Sequence, residues 1–266
     1  MSAVLITGAA GLIGGYLRPR LSRPGRRLRL LDIERPADPR ADEEIMVGSV
    51  TDAQLIRQAC HDMSAVVHLA GIATEAEWPR ILESNINGTW SVLEAARETG
   101  VPRIVLASSN HAAGFSPRGD DRAPDQLWPR PDTYYGVSKV AMEALGSLYA
   151  DRHGMDVVCL RIGTCAQRPP DVRALSTWLS PDDAGRLVEA ALTTPSPGFR
   201  VVWGVSANTR RWWSYAGGEA IGYRPADDAE QYAAQLLDGG EPAPDDPALT
   251  RVGGLWASRA PVPTVP

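Results

Sequence analysis

The chain has 266 residues, 44% hydrophobic and 22% charged, with a net charge of -5. That length suits one α/β domain with a modest appended lobe, or at most two domains, and it can bury a full core. The acidic balance leaves no basic footprint for nucleic acid or anionic lipid, so neither is expected as a partner.

Nothing approaches the run of about 18 apolar residues that a membrane span requires. The opening MSAVLITGAAG runs straight into an apolar strand and a glycine turn, without a cationic leader. Cys60, Cys159 and Cys165 are odd in number and lack metal-ligand spacing. A reducing cytoplasmic compartment, no disulfide and no metal site are the expectation. Arginine and lysine total 27, and all but one are arginine; the lone lysine is Lys139. Where charge alone is needed this chain uses arginine, so Lys139 marks a place where a guanidinium will not serve.

The first apolar run, Ala3–Thr7, reads as a buried strand. It leads into Thr7-Gly8-Ala9-Ala10-Gly11-Leu12-Ile13-Gly14, which opens a helix over Leu12–Leu21. Gly8 permits a tight turn, Gly11 lets the backbone approach a pyrophosphate, and Gly14 lets helix and strand pack closely. The helix N-terminus then offers free N–H groups to phosphate. A second strand, Leu28–Asp32, ends in a carboxylate. Asp32 lies on the order of 20 residues past the loop, where it can accept bonds from both adenosine ribose hydroxyls and repel a 2′-phosphate. This favours NAD over NADP; nearby Arg35 is the one feature that suits the phosphorylated form.

Strand Ile45–Val47, helix Asp52–Cys60, strand Ala65–His68, helix Asn85–Thr99 and strand Ile104–Ser108 follow. The last of these ends in Ser108-Ser109-Asn110-His111. At the carboxyl edge of a parallel sheet such side chains face the ligand crevice, and Ser109 is the candidate catalytic hydroxyl. Helix Tyr135–Arg152 carries Tyr135 and Lys139 at i and i+4, on one face. Free tyrosine ionises near pH 10, and bringing that to about 7 takes roughly 4 kcal/mol of phenolate stabilisation. An adjacent Lys139 ammonium and a positive nicotinamide are expected to supply it, making Tyr135 a general base.

Strand Val157–Ile162 completes a regular alternation. It predicts an α/β fold with a doubly wound parallel sheet, the Rossmann arrangement. Residues 1–163 form the cofactor-binding core with the catalytic residues. Residues 164–266 form a small C-terminal substrate lobe that also contributes further core elements. In it, Ser180 caps a helix that opens with Pro181, Asp182 and Asp183 and runs to about Leu192. Phe199–Gly204 is a further strand, Trp212 and Trp213 pack the lobe, and Pro261–Pro266 is a loosely ordered end.

Together these residues resemble the extended branch of the short-chain dehydrogenase/reductase superfamily. The glycine loop, His68-Leu69-Ala70-Gly71, Asn85-x-x-Gly88-Thr89 and Tyr135-x-x-x-Lys139 carry the likeness. It implies that Gly8, Gly11, Leu12, Ile13, Gly14, Asp32, Ser49, Val50, Leu69, Ala70, Gly71, Asn85, Tyr135, Lys139 and Ile162 contact NAD. Ser49 stands where the family usually has an aspartate bonding adenine. Ala107–His111, Arg161–Cys165, Leu175–Trp178 and Val202–Asn208 are similar to the bacterial uronate dehydrogenases, over essentially the whole chain. That family oxidises C1 of free galacturonate or glucuronate to an aldarolactone.

The likeness implies that Ser109, Asn110 and His111 bond the sugar together with Tyr135. Thr164 stands where a serine contacts substrate, and Arg173 clamps the uronate carboxylate. Ala73 replaces a serine the family can carry, removing one hydrogen bond near C1 or the nicotinamide. Asn85 orders a backbone kink or a water. Trp256, in the C-terminal tail, is positioned to close over this site or a neighbour's. Two rival functions remain. One is a nucleotide-sugar epimerase or dehydratase, for which about 100 residues after Gly163 is short. The other is a non-catalytic NAD sensor, which needs neither Tyr135 nor Lys139. Fold-level analogy suggests a homo-oligomer pairing Asn85–Thr99 and Tyr135–Arg152.

Overall fold

The structure is a computed structural model that describes residues 2–118, 127–243, 245–258, 262 and 264. Of the end expected to be loosely ordered, Pro261, Pro263, Val265 and Pro266 lie outside the described residues. Strands β1 (Ser2–Thr7), β2 (Arg26–Asp32), β3 (Glu43–Val47), β4 (Ala65–His68), β5 (Arg103–Ser109) and β6 (Asp156–Ile162) alternate with helices. These are α1 (Leu12–Leu21), α2 (Ala53–Cys60), α3 (Trp78–Ile81), α4 (Gly88–Glu98) and α5 (Tyr134–His153). After β6 come β7 (Thr164–Cys165), α6 (Ala174–Thr177), β8 (Trp178–Leu179), α7 (Pro181–Thr193) and β9 (Phe199–Gly204).

Seven strands form one parallel sheet in the order β3-β2-β1-β4-β5-β6-β9. The order reverses direction beside β1, and the crevice of such a sheet opens there, at the carboxyl ends. Alternate strand residues feed opposite layers. Val4 and Ile6 pack with Leu17 and Leu21 of α1 and Leu187 of α7. Ala3 and Leu5 pack with Ile56 of α2, Val92 of α4 and Met142 of α5. His68 in β4 is fully buried between the hydroxyls of Thr7 (2.8 Å) and Thr89 (3.2 Å). Burial pushes its imidazole down to about 3, so it is a neutral core residue.

The element beyond residue 163 that matters most for the sheet is β9, which pairs with β6 along its length. The Ser180 hydroxyl caps α7 by accepting from the Asp183 amide at 2.9 Å. The remainder of the lobe is a two-stranded β7–β8 ladder, α6, and short helices α8 (Ala216–Ala220), α9 (Ala233–Leu236) and α10 (Pro247–Thr250). A tryptophan stack centres it: Trp203 and Trp213 lie parallel with centroids 4.4 Å apart, and Trp212 meets Trp213 edge-on.

The helix expected over Asn85–Thr99 starts earlier, at Trp78, and contains a π turn over Leu82–Asn87. The wider winding of a π turn has a local cause here: the Asn85 side chain is drawn inward to bond the chain after β4.

Candidate active site

A cleft of about 580 Å³ runs across the carboxyl ends of the strands. At its cofactor end, Gly8 has φ +72°, and a Cβ there would lie 2.6 Å from the Ala70 amide nitrogen. A Cβ on Gly14 would lie 2.6 Å from the Gly8 carbonyl. Both positions therefore exclude any side chain. No side chain caps α1, so its first N–H groups face the cleft unpaired. Asp32 closes β2, accepting from the Ala10 amide at 2.8 Å, and keeps lone pairs free toward the cleft. Leu12, Ile13, Ser49, Val50, Leu69, Ala70, Gly71, Ala73 and Ile162 line the same space, as do Gly11, Ser109, Tyr135 and Lys139. Ser49 is committed to its own turn: its hydroxyl bonds Thr51 Oγ1 at 2.8 Å and accepts the Thr51 amide.

This is a fitting cradle for a dinucleotide: a side-chain-free turn, an uncapped helix start and a ribose-height carboxylate. Sequence reasoning did not single out Ile33, Glu34, Ser84, Gly163 and Cys165, which also line it. Burial pushes the Cys165 thiol up to about 12, which leaves it unreactive at neutral pH.

Tyr135, Ser109 and Lys139 meet in the middle of the cleft. The Ser109 hydroxyl lies beside the Tyr135 phenol and favours its ionised form, and the Lys139 ammonium sits 5.3 Å from the phenol ring centroid. Lys139 donates to the Ala107 carbonyl at 2.7 Å. The start of α5 is held by Glu75, whose carboxylate accepts the amides of Tyr134 (3.1 Å) and Tyr135 (2.9 Å). Thr133 adds the cap, accepting from Gly136 at 2.9 Å.

Within the protein itself the phenol is not acidic: burial, opposed by the Ser109 hydroxyl and helped by the nearby Asp132 carboxylate, pushes Tyr135 up to about 12. Lys139 is itself buried and pushed down to about 8, with desolvation the largest cause.

Asn85, Asn110, His111, Thr164 and Arg173 stand outside the lining of this cleft. Asn85 is a buried brace. Its amide bonds both the N–H (2.8 Å) and the carbonyl (3.0 Å) of Ile72 and donates to Ser138 at 3.0 Å, tying the loop after β4 to α5. Thr164 bonds Thr177 at 2.9 Å. Asn110, His111 and Arg173 gather instead on the far side of Tyr135, around the C-terminal segment. His111 Nδ1 lies 2.8 Å from Asp132, and its ring stacks on Trp256 at 4.3 Å and meets Tyr135 edge-on at 5.9 Å. The Val252 carbonyl accepts from Asn110 (2.9 Å) and from Arg173 (2.5 Å). Trp256 thus covers the tyrosine of its own chain.

Three more residues escaped the motif reading. Asp132 has a fully buried side chain. Glu143 and Arg161 form a buried two-pronged pair at 2.8 Å, to which Ser108 donates at 2.6 Å. Glu143 follows Lys139 by four residues on α5. That spacing was a readable sign, since i and i+4 share a face.

Residues 4–172 match the NAD dependent epimerase/dehydratase family. The chain is 40% identical to a uronate dehydrogenase of Pseudomonas putida over 97% of its own length and 96% of that protein. It is 36% identical to an NAD-dependent glucose-6-phosphate dehydrogenase of Haloferax volcanii, over 90% of this chain and 97% of that one. A tyrosine-to-alanine variant of the uronate dehydrogenase of Agrobacterium tumefaciens, complexed with NAD, superposes with a TM-score of 0.91 at 37% identity, with both chains fully covered. With its fold matched over the whole length, this chain belongs to the NAD dependent epimerase/dehydratase family and groups there with the uronate dehydrogenases.

Proposed function

We propose that this protein oxidises the C1 hydroxyl of a free hexuronic acid, galacturonate or glucuronate, to the lactone with NAD. Bound NAD supplies the hydride acceptor and a positively charged nicotinamide ring. The Gly8–Gly14 turn holds the diphosphate and Asp32 the adenosine ribose. Lys139 holds the second ribose. The Ser109 and Tyr135 hydroxyls bond the sugar C1 hydroxyl, and the Tyr135 phenolate takes its proton. Burial alone opposes that phenolate, so the positive groups around it must offset about 12 down toward neutrality.

The observation that carries the sugar-acid reading is Arg173. It has no ion pair among the described residues, its Nε is buried without a partner, and burial lowers its pKa. A buried cation of this kind is stabilised by a ligand carboxylate in two-pronged contact. Asn110 shares the Val252 carbonyl with Arg173, and His111 stacks on Trp256 in the same C-terminal segment; these side chains suit hydroxyls and a sugar face. The Haloferax relative acts on a phosphorylated sugar by its name, and a phosphate would satisfy Arg173 equally well.

The test is initial NADH formation with galacturonate, glucuronate, glucose 6-phosphate, galactose and UDP-glucuronate. Net NADH with the free uronates is expected, and little with galactose. Equal turnover of galactose and galacturonate overturns the reading. So does NAD that stays bound without net reduction, as an epimerase would keep it.

No helix is long and apolar enough to cross a membrane among the described residues. The cysteines are unpaired, which suits the cytoplasm. A homo-oligomer through α4 and α5 is supported by Trp90 and Leu148, 51% and 45% exposed on those helices. Light scattering that finds a monomer at assay concentration would remove it.

A further inference from the structure

The C-terminal segment crosses the sugar side of the site, and two adjacent glycines in it meet opposite charges. The segment is stitched down by its backbone. Val252 donates to the Ser116 carbonyl at 3.0 Å, Gly253 donates to the Gly114 carbonyl at 2.9 Å, and Arg251 bridges Pro117. Gly253 abuts Asp132: a Cβ there would fall 1.8 Å from Oδ2. Gly254, at φ +60°, abuts Arg173: a Cβ there would fall 2.7 Å from Nε. The glycine pair therefore lies between a buried carboxylate and a buried guanidinium. Asp171 and, more weakly, Asp132 act on Arg173, their charges opposing the effect of burial there.

Left to themselves, two such groups would pair, because an uncompensated buried charge is costly. Each is instead satisfied elsewhere. Asp132 bonds His111, and Arg173 bonds a neutral peptide carbonyl, Val252. A carbonyl orients the guanidinium without cancelling its charge.

We propose that Gly253 and Gly254 are specificity-determining spacers: they hold Asp132 away from Arg173, so that the guanidinium charge is kept for an anionic sugar. The proposal rests on the uronate reading of Arg173. Its consequence is that the anion preference resides in the strap as much as in the arginine.

Gly253 gives a clean test. Its φ of -82° is open to any residue, so only Asp132 and its surroundings exclude a side chain. Full-length Gly253→Ala is compared with wild type and with Gly253→Ala/Asp132→Asn. Thermal melting and NAD affinity serve as fold controls. Gly253→Ala should raise KM for galacturonate by on the order of tenfold or more, with kcat less affected and NAD affinity unchanged. The double variant keeps the displaced strap but removes the competing charge, and should recover most of that loss. A wall that has merely become disordered would show no recovery, so a double variant no better than the single overturns the proposal. Unchanged KM in Gly253→Ala overturns it too.

Calorimetry with the 1,5-anhydro analogue of galacturonate, which keeps the ring and the carboxylate but has no C1 hydroxyl to oxidise, repeats the comparison without turnover. Wild-type binding that falls in the single variant and returns in the double supports the spacer. No wild-type binding overturns it. Intact analogue binding without uronate turnover would sink the proposed oxidation and leave the spacer standing.

Discussion

The two ends of the cleft are built by different means. The cofactor end is contiguous: one strand, one turn and one helix start, Ser2–Leu21, with Asp32 on the next strand. Its recognition surface is mostly backbone, which is why glycines define it. The proposed sugar end is assembled from scattered pieces: Asn110 and His111 after β5, Asp132 before α5, Arg173 before α6, and Val252–Trp256 near the end. Its recognition surface is side chains, held by one carbonyl and two glycines. A backbone site tolerates little change in the chain that forms it. A side-chain site can change its ligand with single substitutions, consistent with relatives named for different sugars.

The comparison is broken most severely at the point where the ends meet. Tyr135 borders both, touching the cofactor cleft and packing against His111 and Trp256. Tyr135→Phe removes the proton acceptor and should lower kcat by about 10³-fold or more while NAD still binds. Retained turnover would mean that neither end is catalytic as described.

The next effect separates the ends. Arg173→Met keeps the bulk and removes the cation. KM for galacturonate should rise by roughly 10²-fold, the scale of losing one partner of a buried charged contact. NAD affinity should not move. A matching loss of NAD affinity would show that the two ends are one unit.

A reciprocal change comes from the other side. Gly8→Ala forces a Cβ into the backbone of Leu69 and Ala70 at a φ of +72°. NAD affinity should fall by about tenfold or more, with a lower melting temperature, because strain at such a position costs on the order of 1–3 kcal/mol. The galacturonate KM measured at saturating NAD should change least. If it changes as much as NAD affinity, the division between the ends is not real.

The same contrast explains what could be read from the sequence. The doubly wound parallel sheet and the glycine cradle follow from periodicity and spacing, because backbone geometry demands particular residues at fixed intervals. Tyr135 and Lys139 follow from helical spacing and from the uniqueness of the lysine. Arg173 is one of many arginines, and only resemblance singled it out. Asp132, Glu75 and Gly253–Gly254 carried no local pattern, since their partners are distant in the chain. The π turn around Asn85 was hidden for a related reason. Its cause is a tertiary bond to Ile72, not the propensity of Leu82–Asn87.

The remaining prediction concerns the stability lost by burying the lysine of the proposed catalytic pair. Lys139 is buried, and its ammonium donates to the Ala107 carbonyl. His68 on β4, Tyr135 and Glu143 on α5, and Cys159 on β6 are the titratable groups that bear on it, and Arg161 already neutralises Glu143. Burial pushes Lys139 down from 10.5 to about 8 in the folded chain. A base whose folded value is depressed destabilises the fold wherever it is charged. That penalty, roughly 3 kcal/mol, is complete below about pH 8, where both states hold the proton. It fades as pH rises, because the folded state releases its proton first, and it is gone above about 10.5. Lys139→Met should therefore abolish turnover yet melt higher than wild type at pH 7, with the difference shrinking between pH 8 and 10.5. Thermal melts of both proteins across that range decide it. A difference that stays flat with pH would mean that the folded chain holds the Lys139 proton as tightly as the unfolded one, so that burial does not depress this lysine.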